Sequence, residues 1–214
     1  MTFARRLLAL PLLAPPLLTL ALPAAAHHPM GGAMPGTLLE GLLSGFGHPV
    51  IGLDHLLFII AVGAACYCFG RRIATIAAFL LSAAAGTLLH LQAPAVPYAD
   101  AWVAASLIVL GVLFFRRSGF LKRRAALVLF AASGVAHGYA YGEAILGAEA
   151  TPLLAYLGGF TLMQFTLALG GYAIARYLTR RLVTRQPEFV FFKAAGGLLA
   201  ATGTGFLALS LVAQ

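Results

Sequence analysis

The chain reads as an all-α, polytopic membrane protein with six transmembrane helices after a cleaved signal peptide, and three observations predict it. Hydrophobic residues fill 61% of its 214 positions and charged residues only 9%, against about a quarter charged in soluble domains; mean hydropathy is +0.94. Six apolar runs, each close to the roughly 20 residues that a bilayer requires, follow an N-terminal stretch laid out like an export signal. Basic residues cluster between those runs on alternate loops.

The elements follow in order. Residues 1–26, MTFARRLLALPLLAPPLLTLALPAAA, place Arg5 and Arg6 before a leucine-rich stretch that ends in Ala24, Ala25 and Ala26, a small-residue cleavage site. An uncleaved first helix is the alternative, but Pro11, Pro15, Pro16 and Pro23 make a poor span. Residues 27–47 then form an extracytoplasmic segment containing Gly and Pro, and 48–214 a six-helix transmembrane domain. Its apolar runs fall near 50–69, 73–91, 99–115, 125–141, 153–175 and 190–212. Glycines recur within them, including Gly158, Gly159, Gly170, Gly171, Gly196, Gly197, Gly203 and Gly205, and small residues let membrane helices approach closely.

Charge orients the spans. With the mature N-terminus outside, the inner loops carry Arg71, Arg72, Arg116, Arg117, Lys122, Arg123, Arg124, Arg176, Arg180, Arg181 and Arg185, with Lys193 just beyond, while no Lys or Arg falls on the outer loops. That is the positive-inside pattern of a multi-pass protein of the cytoplasmic (inner) membrane. The net charge of +8 therefore reports topology; short basic clusters without interleaved aromatics give no footing for nucleic acid, and the partner implied is the lipid bilayer. Two cysteines, Cys66 and Cys68, sit within one run, roughly 160° apart on a helix, and report no redox compartment.

The same map sends all six histidines and five of the six carboxylates to the outer half: His27, His28, Glu40, His48, Asp54, His55, His90, Asp100, His137, Glu143 and Glu149, with only Glu188 inside. Such a face suits the collection of a divalent cation. Within HPVIGLDH, residues 48–55, Asp54 lies about five residues into the first span, where a lone carboxylate is costly and marks a functional site. His55 offers a nitrogen to first-row metals, with Asp54 as oxygen ligand or as the group that fixes the ring.

His48 precedes His55 by seven residues, about 10 Å along a continuous helix. Either the helix is locally unwound or His48 forms a separate site; Pro49 suits a first helical turn and Gly52 permits distortion. In the fourth span, AHGYAYGEA supplies His137 and Glu143 between Gly138 and Gly142. His27, His28 and His90 are secondary metal candidates, Gln164 reads as packing glue, and Cys66 and Cys68 as buried hydrophobes.

His48-x5-Asp54-His55 after an exported N-terminus resembles the H-x5-D-H motif of the HupE/UreJ family of nickel or cobalt permeases, and AHGYAYGE is similar to that family's second motif, approximately F-H-G-x-A-H-G-x-E. His137, Gly138, Ala140 and Gly142 match it; Ala136 replaces the Phe, Tyr141 replaces the second His, and Glu143 arrives one position early. The resemblance covers essentially the whole mature chain. It implies a secondary permease that takes up Ni2+ or Co2+ as substrate, with no resident cofactor and with His48, Asp54, His55, His137 and Glu143 as metal ligands.

No G-x-x-x-x-G-K-[ST] phosphate loop occurs. A divalent cation crossing about 100 mV, negative inside, gains about 4.6 kcal/mol, an accumulation on the order of a thousand-fold, so voltage suffices. Ser133-Gly134 evokes a rhomboid-like protease, but Ala131 stands where the first Gly belongs and the sixth span contains no histidine, so the chain is read as no enzyme. The competing reading is a membrane metal-binding accessory protein for hydrogenase, urease or cobalamin maturation that does not transport.

Overall fold

A computed structural model describes residues 33–69, 72–92, 96–116, 123–182 and 186–212. Residues 1–26 with their cleavage site, and also His27, His28, Arg71, Arg117, Lys122 and Arg185, lie outside the described residues. The helices are α1 (Leu38–Ile51), α2 (Leu53–Phe69), α3 (Arg72–His90), α4 (Ala99–Arg116), α5 (Arg123–Gly142), α6 (Ala150–Arg181) and α7 (Pro187–Val212), with a 3-10 turn (Glu143–Ile145) after α5. No strand occurs among the described residues.

The first span is the element that departs most from the linear reading. A helix already begins at Leu38, because Thr37 and Glu40 cap it reciprocally. The Thr37 Oγ1 accepts from the Glu40 amide at 3.2 Å, and Glu40 Oε2 accepts from the Thr37 and Gly36 amides at 3.1 and 2.8 Å. That helix stops at Gly52, whose amide donates to the His48 carbonyl while its own carbonyl accepts from Leu56 and opens α2. The two pieces meet at 80°. Pro49 consequently sits in the last turn of α1, not in the first turn of a span; lacking an N–H, it leaves the ladder one bond short where the chain turns.

Five helices among the described residues are long and apolar enough to cross a membrane, and the bent α1–α2 pair passes as a sixth. Close approaches at glycines show how they run. Gly41 packs on Pro152, Gly45 on Tyr156 and Phe160, Gly63 on Ala168 and Tyr172, so α1 and α2 advance along α6 in the same sense. A re-entrant hairpin would reverse direction at its tip; this pair is one broken crossing. Gly134 meets Phe79 and Ser82, Gly138 meets Ala83, and Gly142 meets His90, which makes α3 and α5 parallel. Gly111 meets Gly196 and Ala200 while Gly203 meets Ala104 and Leu107, which makes α4 and α7 antiparallel. All three relations are those of six spans that alternate in direction.

Alternation gathers Arg72, Arg116, Arg123, Arg124, Arg176, Arg180, Arg181, Glu188 and Lys193 at one end of the bundle. The opposite half holds Glu40, His48, Asp54, His55, His90, Asp100, His137, Glu143 and Glu149. Toward the basic end the interior is apolar, with Phe58, Val62, Cys66, Ile76, Phe79, Leu107, Phe114, Phe130 and Phe192 in one buried cluster. Cys66 packs there as a small hydrophobe. At 32 residues, α6 spans about 48 Å, well beyond a hydrocarbon core of about 30 Å, and its overhanging last turns carry exposed Arg176, Arg180 and Arg181.

Candidate functional site

Three imidazoles from three helices converge in the acidic half, and all are buried: His48 of α1, His55 of α2 and His137 of α5. The break at Gly52 makes this possible. Across it the His48 and His55 rings come to 6.0 Å between centroids, nearly perpendicular. Only a residue without a side chain fits at the break, since a Cβ on Gly52 would lie 2.7 Å from His55 Cδ2 and 3.3 Å from Asp54 Oδ1.

His55 Nδ1 and His137 Nδ1 lie 2.9 Å apart, and His137 Nε2 is 2.9 Å from the Ser106 hydroxyl. Ser106 also donates to the Val103 carbonyl at 2.6 Å, and a carbonyl can only accept. The Ser106 hydrogen is therefore committed, His137 donates through Nε2, and His137 Nδ1 accepts the hydrogen carried by His55 Nδ1. Likewise Tyr156 donates to the Tyr141 carbonyl at 3.1 Å and so accepts from His48 Nδ1 at 3.0 Å. In their neutral forms His48 and His55 are thus Nδ1–H tautomers whose Nε2 carries the lone pair used in ligation.

Aromatic rings hold the cluster in place. Tyr141 lies 4.2 Å from the His55 ring and 4.7 Å from the His48 ring, with Phe160 at 4.6 Å behind it. Phe58 and Phe79 close the other side at 4.4 and 5.8 Å from His137. Asp54 is buried beside His55, and its Oδ1 accepts from the His55 amide at 2.8 Å. That places a carboxylate at the positive end of α2.

The five predicted ligands are not brought together as one set. Among the described residues no group of three or more His, Cys, Asp or Glu side chains stands ready to hold a metal ion. Glu143 begins the turn that follows α5, where its side chain is 62% exposed and pairs with His90 at 3.2 Å. His90, buried and 4.4 Å from the Tyr139 ring, therefore joins Glu143 at the rim instead of the cluster.

Comparison with known proteins gives the family. The family described as HupE / UreJ protein matches residues 16–206. The chain belongs to the HupE/UreJ family. Protein HupE of Rhizobium leguminosarum bv. viciae is 30% identical over 194 residues, covering 89% of this chain and 94% of that protein. No solved structure matches. The chain is accordingly a multi-pass member of the HupE/UreJ family, and Tyr141, one of the three positions at which its second motif differs from the pattern that it resembles, packs against both His48 and His55.

Three contributors, Ser106, Tyr156 and Phe58, escaped the linear reading, and a fourth, Gln164, was read for packing alone. Ser106 and Tyr156 fix the tautomers, Phe58 stacks on His137, and Gln164 is wholly buried. The spacing Tyr156, Phe160, Gln164 is an i, i+4, i+8 stripe that signals one face of α6. Gln164, read as packing glue, faces the Tyr141 hydroxyl but makes no well-aligned hydrogen bond through either amide atom.

Proposed function

We propose that this HupE/UreJ protein is a secondary permease that takes up Ni2+ or Co2+ as substrate, with His48, Asp54, His55 and His137 forming its binding site in the outer half of the bundle. The convergence of three buried imidazoles on a helix break carries the reading. Irregular backbone at membrane depth is tolerated where it serves a path or a site, and imidazole is the natural ligand for these ions. An ion held by the Nε2 atoms of His48 and His55 gains His137 once ring rotation releases its Nδ1 from the His55 hydrogen. An ion recruits the remaining ligands by small ring rotations, with Asp54 offsetting its charge. His90 and Glu143 at the rim receive the ion first.

The orientation that fits uptake places the histidine-bearing end outside and the basic end in the cytoplasm, with residues 1–26 removed as a signal peptide and His27 and His28 at the exposed N-terminus. The membrane potential then drives the cation inward without ATP.

A non-transporting metal-binding accessory role has one observation in its favour, the apolar core of Phe58, Phe79 and their neighbours directly beyond His137. Uptake of radiolabelled Ni2+ and Co2+ into liposomes separates the two. Saturable wild-type uptake, lost in Asp54→Ala and His55→Ala at matched insertion, supports the permease. Binding without flux in the wild type assigns the accessory role.

A further inference from the structure

Three polar atoms beside the imidazole cluster are buried without a hydrogen-bond partner: Tyr141 Oη, Gln164 Oε1 and Gln164 Nε2. Both side chains are fully buried, and they come from different helices, α5 and α6. The Tyr141 hydroxyl faces the Gln164 side chain closely enough to interact with it and lies within electrostatic reach of Tyr156 and the Asp54 carboxylate, yet it forms no well-aligned hydrogen bond with any of them. Native proteins seldom leave such groups unpaired, and a set of them at one place marks a site whose partner is a polar ligand.

The chemistry of the set narrows the ligand. Water bound to a divalent cation is a strong hydrogen-bond donor whose lone pair is committed to the metal, so it needs acceptors. Tyr141 Oη and Gln164 Oε1 are neutral acceptors, and the Tyr hydroxyl and Gln amide keep donors for the Asp54 carboxylate or for further water. First-row divalent ions take up to six ligands, more than three imidazoles and one carboxylate supply. The Tyr141 ring is already seated against both His48 and His55, and the Gln164 side chain faces its hydroxyl, so both belong to the buried surroundings of those rings.

Building on the metal site proposed above, we infer that Tyr141 and Gln164 bind the water shell of the cation, so that the site selects a partly hydrated divalent ion. They are positioning residues that act on the ion through its water.

The test uses the full-length chain in detergent, titrated calorimetrically with Ni2+ and with Co2+. Compared are wild type, Tyr141→Phe, Gln164→Leu, Gln164→Met and His55→Ala, each also melted without metal. Tyr141→Phe and the Gln164 variants are expected to melt no lower than wild type, because each removes unpaired buried polar atoms, and to bind about tenfold more weakly. The X-ray absorption spectrum of bound Ni2+ keeps its imidazole signature in the Gln164 variants, whereas His55→Ala loses binding. Gln164→Met serves if the leucine variant does not fold. Wild-type affinity in Tyr141→Phe and a folded Gln164 variant, with binding lost in His55→Ala, overturns this inference and leaves the metal site standing. No binding by the wild type overturns both.

Discussion

His55 Nδ1 and His137 Nδ1, 82 residues apart in sequence, lie 2.9 Å apart in the buried core and share one hydrogen. That bond ties the broken first span to α5, and Ser106 ties α5 to α4 through the other face of the same ring. Replacing either histidine by alanine removes a metal nitrogen and orphans its partner. Uptake is expected to fall by at least about tenfold in each. In a double-mutant cycle on stability without metal, the pair should couple by about 1 kcal/mol. Strictly additive losses would mean that the rings do not act as a pair.

Gly52→Ala tests the break. Its methyl would stand 2.7 Å from the His55 ring, so the ring must move, at a cost of about 1–3 kcal/mol. Metal uptake should drop while helix content by circular dichroism stays near that of wild type. Gly158→Ala is the matched control, because a Cβ there meets nothing within 4 Å. If the two variants transport alike, the tight turn at Gly52 does not position His55.

Glu143 separates a ligand from a rim residue. Its carboxylate is mostly exposed and its contact is His90 Nε2 at 3.2 Å, an arrangement that contributes less than about 1 kcal/mol. Glu143→Gln should therefore change the half-saturating metal concentration by no more than about threefold, whereas Asp54→Asn should abolish uptake. Equal loss in the two variants would return Glu143 to the metal site.

Orientation is checked by labelling introduced cysteines in intact cells on a background of Cys66→Ser and Cys68→Ser. Gln92→Cys, exposed after α3, should react with an impermeant maleimide added outside. Gln186→Cys, exposed before α7, should react only after permeabilisation. The reverse pattern would turn the histidine cluster toward the cytoplasm and remove the case for uptake.

Membrane class, the spans after the first, and the segregation of basic from histidine-bearing ends were all legible in the linear chain. Hydropathy and loop charge are local sums, so they survive without knowledge of contacts. The residues of both motifs were visible for the same reason: a buried carboxylate or imidazole in an apolar run stands out by its desolvation cost alone. A helical start at Leu38 was also written in Thr37 and Glu40, although the glycines and prolines around them obscured it.

The geometry of the site comes from packing. A helix drawn on paper holds His48 and His55 about 10 Å apart, and neither Pro49 nor Gly52 specifies how far the chain turns. The 80° bend is settled by Gly41 and Gly45 seating α1 on α6 and Gly63 seating α2 farther along it. Packing likewise drew His137 to His55, sent Glu143 to His90, and set Tyr141 and Gln164 facing each other without a well-aligned hydrogen bond. Those relations join residues distant in sequence, and the close approach of helix backbones fixes them where local composition cannot.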